Sequence, residues 1–198
     1  MTTSSPDHNH HHPNADAIDI FGFWIYILTD CVLFASLFTV YVVLRDSVYG
    51  LPTASDLADL PYVLGETFAL LLSSFTYGMM VLSLYHKRYT LLINWLIATF
   101  LLGSLFIYME IHEFIELYVS GYGWQASASL SAFFTLVGTH GLHVTIGLLW
   151  MLVMLGQLIK YKITPTITRR LTYLGMFWAF LDIVWIFVYT IVYLIGAI

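Results

Sequence analysis

The chain has 198 residues, of which 60% are hydrophobic and only 10% charged, and its mean hydropathy is +0.83. That leaves too little polar surface for a water-soluble domain and points to a membrane bundle. Twelve acidic residues against seven basic ones give a formal charge of -5 with no basic stripe for nucleic acid, and the single cysteine, Cys31, excludes an intrachain disulfide and any multi-thiolate metal site.

Residues 1–19 are Ser-, Asp- and His-rich, with too few apolar groups to order themselves, and predict a disordered cytoplasmic tail. Its run His8-Asn9-His10-His11-His12 reads as a solvated tract rather than a metal site. Residues 20–198 predict an all-α bundle of five transmembrane helices, at about 20–44, 62–85, 91–118, 130–159 and 171–198, each near the roughly 20 apolar residues that a crossing requires. The third reaches that length only by continuing through Glu110. The first run starts too late and is too long for a cleaved signal peptide, so it is expected to stay in the protein.

The connections carry turn chemistry. The first has Gly50, Pro52, Ser55 and Asp56, with Pro61 suited to the first turn of helix two. The second is so short that helices two and three must be antiparallel neighbours. The third, Ser120 to Ser129, contains Gly121 and Gly123, and the fourth contains Thr164-Pro165-Thr166. Lys87 and Arg88 fall in the second connection and Lys160, Lys162, Arg169 and Arg170 in the fourth, whereas only Arg45 falls in an odd-numbered one. This bias predicts a cytoplasmic N-terminus and a periplasmic C-terminus.

Ionisable groups at membrane depth cost on the order of 3 kcal/mol each at a helix centre, so they mark partners or a purpose. Counting along the helices puts Asp30, Asp182 and His140 near the midplane, and His143 lies one turn from His140 on the same face. Glu66 is shallower, and Glu110, His112, Glu113 and Glu116 lie near the outer end of helix three. No Lys or Arg lies within a span, so the acids must be neutral or hydrogen-bonded to His140, His143, Thr29 or tyrosines. Two readings follow, a proton-relay or ion site and a set of interhelical hydrogen bonds that fix packing; the second weighs heavier. Haem ligation needs two histidines at one depth on different helices, and His86, His112, His140 and His143 do not meet that condition. Met79, Trp95 and Trp150 read as packing or interface anchors, and Gly138, Gly141 and Gly147 as points of close helix approach.

Several segments resemble one family. Residues 22–38, GFWIYILTDCVLFASLF, 66–77, ETFALLLSSFTY, 109–114, MEIHEF, 133–147, FFTLVGTHGLHVTIG, and 177–196, FWAFLDIVWIFVYTIVYLIG, are similar to subunit III of the haem-copper respiratory oxidases. The likeness runs from about Gly22 to the C-terminus. With five helices and a His-rich tail, the chain is similar to the bacterial ubiquinol-oxidising (cytochrome o) branch, with the cytochrome c-oxidising branch as the alternative. The resemblance implies a non-catalytic subunit without metal or cofactor, with haems, copper and ubiquinone in a neighbouring subunit I. It also implies subunits II and IV and membrane phospholipids as further partners, a bacterial inner-membrane location, and a role in bracing subunit I within a proton-pumping complex.

By position, the resemblance puts Asp30 where cytochrome c oxidase relatives have a carbodiimide-reactive membrane glutamate. Glu113 matches the acid of the outer helix-three motif, and His140, His143 and Asp182 match recurrent polar positions. Ala179, in Trp178-Ala179-Phe180, replaces a histidine found in many relatives. The family arrangement further implies a V in which helices one and two form a short arm, with Asp30 and Glu66 as its polar landmarks. A rival of another class, an independent proton-coupled transporter using Asp30 and Asp182, would show two related halves and broken helices, and the sequence displays neither.

Overall fold

The computed structural model describes residues 13–48, 50, 52, 57 and 59–195. Among these, five helices are long and apolar enough to cross a membrane: α1 (Pro13–Leu44), α2 (Leu60–Tyr85), α3 (Tyr89–Val119), α4 (Ala128–Tyr161) and α5 (Pro165–Val188), the last continued by a π-helical turn, Tyr189–Leu194. No strand occurs among the described residues. The His8–His12 tract and the last three residues lie outside them.

Two helix starts differ from the sequence reading by more than two residues. α1 begins at Pro13, so residues 13–19, read as tail, are helical. Proline is favoured in a first turn, and extending an existing long helix avoids the cost of nucleation. α5 begins at Pro165 rather than near Leu171, because the Thr164 hydroxyl accepts from the Ile167 amide at 3.3 Å and Pro165 supplies the first turn. Arg169 and Arg170 therefore belong to the helix, and Arg170 donates to Gln157 Oε1 at 2.9 Å. A similar cap, Ser127 Oγ accepting from the Leu130 amide at 3.1 Å, starts α4. Between α3 and α4 the chain turns through Gly121, whose φ of +87° suits a residue without Cβ.

Helices α2, α3, α4 and α5 pack in a ring, each against the next, and α5 closes onto α2. α1 lies outside that ring against α4 and, less extensively, α5. The expected short arm of α1 with α2 is thus not what forms: the aromatic stripe of α1 finds its partners on α4 and α5. Its buried residues, Ile27, Asp30, Phe34 and Tyr41, recur at helical spacing along one narrow face. Phe23 stacks on Tyr173 at 5.0 Å between centroids, Phe34 meets His143 at 5.2 Å, and Phe38 meets Phe187 at 6.3 Å.

Trp178 of α5 is the hub of the ring. Its indole Nε1 donates to Ser73 Oγ on α2 at 3.0 Å. Its ring fills the space over Gly103 of α3 and Gly147 of α4, where an added Cβ would lie 2.9 Å and 3.0 Å from ring carbons. One turn pair further on, Trp185 Nε1 donates to Thr67 Oγ1, also at 3.0 Å. Thr76 and Thr99 join α2 to α3 at 2.9 Å, and the Tyr77 hydroxyl donates to the Leu171 carbonyl at 2.6 Å. Gly103→Val is expected to overpack this centre and cost about 1–3 kcal/mol, read as a lower thermal midpoint in mild detergent; an unchanged midpoint would remove Trp178 from its place as hub.

Candidate functional site

The polar residues at membrane depth fall into two groups. The first lies on the seam between α1 and α4. Asp30, buried on the inner stripe of α1, has Oδ1 3.9 Å from His143 Nε2. The Nδ1 of His143 is held at 2.8 Å from the Thr139 carbonyl, which accepts, and this fixes the ring so that Nε2 faces the acid. Phe34, one turn along from Asp30, covers the pair. Asp182, on α5, is buried elsewhere; it faces Ser74 of α2, whose hydroxyl approaches without hydrogen-bonding geometry.

The second group lies inside the ring. Glu66 on α2 faces Glu110 and Glu113 on α3, and all three are buried, Glu66 completely. Tyr193 of the π-helical turn donates to Glu113 at 3.3–3.5 Å. The Glu110 carboxyl lies against the α4 backbone at Gly141, where a Cβ would come within 2.6 Å of Oε1. Neither carboxyl oxygen of Glu66 or Glu110 has a hydrogen-bond partner among the described residues.

His140 adjoins this group. It is fully buried, with both ring nitrogens lacking a partner among the described residues, so the hydrogen-bonding role expected of it is not what the structure shows. It is packed by rings instead, with Trp185 at 5.2 Å, Phe106 at 5.9 Å and Phe34 at 6.3 Å between centroids.

The structure thus joins Asp30 to His143 and Glu66 to Glu113, leaves Asp182 apart, and separates Asp30 from Glu66. The sequence reading left Glu110 and Tyr193 out of the site. The signal for Glu110 was present, since a spacing of three residues puts it on the same helix face as Glu113; Tyr193 carried none, because the π-helical turn that swings it inward breaks the 3.6-residue count. Of the α4 glycines, Gly141 and Gly147 accommodate side chains, Glu110 and Trp178, rather than a helix backbone, and a Cβ added at Gly138 would lie 3.7 Å from the Phe114 ring. No group of three or more His, Cys, Asp or Glu among the described residues is arranged to hold a metal ion.

A family model described as cytochrome c oxidase subunit III matches residues 2–197. The chain belongs to the cytochrome c oxidase subunit III family. It is 52% identical over 191 residues to cytochrome bo(3) ubiquinol oxidase subunit 3 of Pseudomonas aeruginosa, covering 96% of this chain and 91% of that one. The subunit of the same name from Pseudomonas putida is 51% identical over 177 residues, with 89% and 86% covered. That of Buchnera aphidicola subsp. Acyrthosiphon pisum is 42% identical over 179 residues, with 90% and 87% covered. In this subunit III chain, Ala179 is exposed in a groove of about 370 Å³ that Ser74 and Gly175 also line.

Two substitutions separate packing from hydrogen bonding. His140→Ala is expected to cost about 2–5 kcal/mol as a large-to-small core change, whereas His140→Leu, which refills the space and removes two unpartnered nitrogens, is expected to retain most of the thermal midpoint. Equal loss in both would show that the ring nitrogens matter. Asp30→Asn is expected to leave yield and thermal midpoint close to wild type, since an amide matches the carboxyl in size and no short hydrogen bond is broken at 3.9 Å; absence of the protein from the membrane would refute this.

Proposed function

We propose that the chain is subunit III of a haem-copper ubiquinol oxidase in the aerobic respiratory chain of a bacterium, embedded in the cytoplasmic membrane. The observation that carries this is the 52% identity over nearly the whole chain to a relative named cytochrome bo(3) ubiquinol oxidase subunit 3. In this role the subunit supplies no catalytic group. Quinol oxidation, reduction of oxygen to water and proton pumping belong to the complex, with haems, copper and ubiquinone held by subunit I, and subunits II and IV complete the assembly.

The local task is to brace subunit I and to contact membrane phospholipids. What supports it is a ring of helices cross-linked through buried indoles and hydroxyls, which makes a stiff element, with long apolar faces directed outward on α1, α3 and α4. Basic residues at the ends of the α2–α3 and α4–α5 connections support the cytoplasmic placement of that side and of the N-terminus with its His-rich tract. Lys87 and Lys162 both turn the chain there with φ near +55°.

Gentle-detergent purification through this chain tests the proposal. Haem in stoichiometric amount, with oxygen uptake driven by ubiquinol, is the expected outcome. Haem with activity only toward cytochrome c would move the chain to the cytochrome c-oxidising branch. A colourless five-helix protein would overturn the assignment and favour an independent transporter.

A further inference from the structure

The outer end of the α2–α3 pair holds a cavity of about 260 Å³ whose lining includes Asp59, Tyr62, His112, Glu113, Glu116 and Tyr122. His112 and Glu116 are exposed, whereas Glu113 is buried, so the cavity runs from the surface to Glu113. Behind Glu113 lie Glu66 and Glu110, with four carboxyl oxygens that no described residue partners. On the inward side the group is bounded by the Phe106, His140 and Trp185 rings, with Phe106 and Trp185 edge-to-face at 4.7 Å.

Buried polar atoms are satisfied by protein or by ordered water, and a polar recess with several acceptors is where such water resides. Carboxyls at this depth also need a counter-charge. The titratable groups that face them are Tyr62 on α2, Glu116 on α3 and Tyr193 on the π-helical turn, with His140 on α4 next to Gly141. Among the described residues, the Lys and Arg that lie within the spans are Lys160, Arg169 and Arg170, at the end of the bundle opposite these carboxyls. Protons are the counter-charge that remains.

We infer that Glu66, Glu110 and Glu113 form a buried proton-binding site, bridged by water, that exchanges with the aqueous phase through the cavity beside Tyr62, His112 and Glu116. In the exchange a hydronium ion arriving in the cavity gives its proton to a carboxylate, leaving water and a carboxylic acid; the reverse step returns the proton to the same side. The aromatic layer of Phe106, His140 and Trp185 closes the inward side, so the site takes up and releases protons at one face without conducting them across the membrane. Tyr193 sets the geometry of Glu113, and Gly141 gives Glu110 its room.

The inference does not depend on the electron donor or on haem content, so its test is read apart from that of the proposed function. Infrared difference spectra of the full-length protein in its native assembly, wild type minus Glu110→Gln and wild type minus Glu66→Gln, are expected to show loss of a protonated-carboxyl band that shifts promptly in D2O. Ser120→Trp, which fills the cavity mouth and leaves every carboxyl in place, is expected to slow that shift without reducing the band. A variant difference with no protonated-carboxyl signal, or a signal that does not exchange in D2O, would overturn the inference. Should the glutamine variants fail to accumulate, a high-resolution density map of the wild type decides. Bridging waters between the three carboxyls are expected, and a dry, protein-filled contact there would refute the site.

Discussion

Trp178 donates to Ser73 on α2 while its ring occupies the space left by Gly103 on α3 and Gly147 on α4. A single side chain of α5 thus meets all three other helices of the ring. In hydrocarbon no water competes for the indole N–H, so leaving it without an acceptor is costly. The second indole, Trp185, lies seven residues on and meets Thr67, six residues before Ser73. Two such bonds at matched spacing fix the antiparallel register of α5 on α2, and a slip of one turn would break both at once. The glycines complete the arrangement by letting a bulky ring lie where side chains would otherwise collide.

That register also decides where the acids go. Thr67 follows Glu66 directly, and Trp185 packs on both Phe106 and His140. The bond that ties α5 to α2 therefore places an aromatic layer just inside the level of Glu66 and Glu110. The π-helical turn then brings Tyr193 over Glu113 from the same chain segment. Packing and site are two results of one set of contacts, and this explains how three carboxyls are held together in a ring that is otherwise sealed by rings and methyl groups.

Five crossings were legible in the sequence because apolar length is a direct requirement of the bilayer. So was the adjacency of α2 and α3, since a connection of three residues, His86 to Arg88, permits little else. The start of α5 was misjudged because the hydrophobic run begins later than the Thr164 cap and Pro165 allow the helix to begin. Which of its candidate partners Asp30 meets was not legible, for a different reason. Depth along a helix can be counted from sequence, but azimuth between helices depends on which neighbours α1 selects, and a stripe of Phe and Tyr fits α4 and α5 as well as it would fit α2. The layer containing Asp30 and His140 was foreseeable, and His143 was among the candidate partners of Asp30; which candidate it meets was not.

The same difference between depth and azimuth gives the Asp30–His143 contact its significance. Among the described residues, the helices of the ring are joined by hydrogen bonds between side chains or from side chains to backbone, whereas α1 meets its neighbours through ring contacts and this one acid–imidazole approach. Aromatic contacts tolerate sliding and rotation, so they hold α1 to the bundle without setting its register. A carboxyl facing hydrocarbon is penalised, and α1 minimises that penalty only in the register that presents Asp30 to His143 beneath Phe34. One polar pair thus indexes a helix that the apolar surface alone would leave free to shift, and it does so on the outside of the ring, where α1 packs.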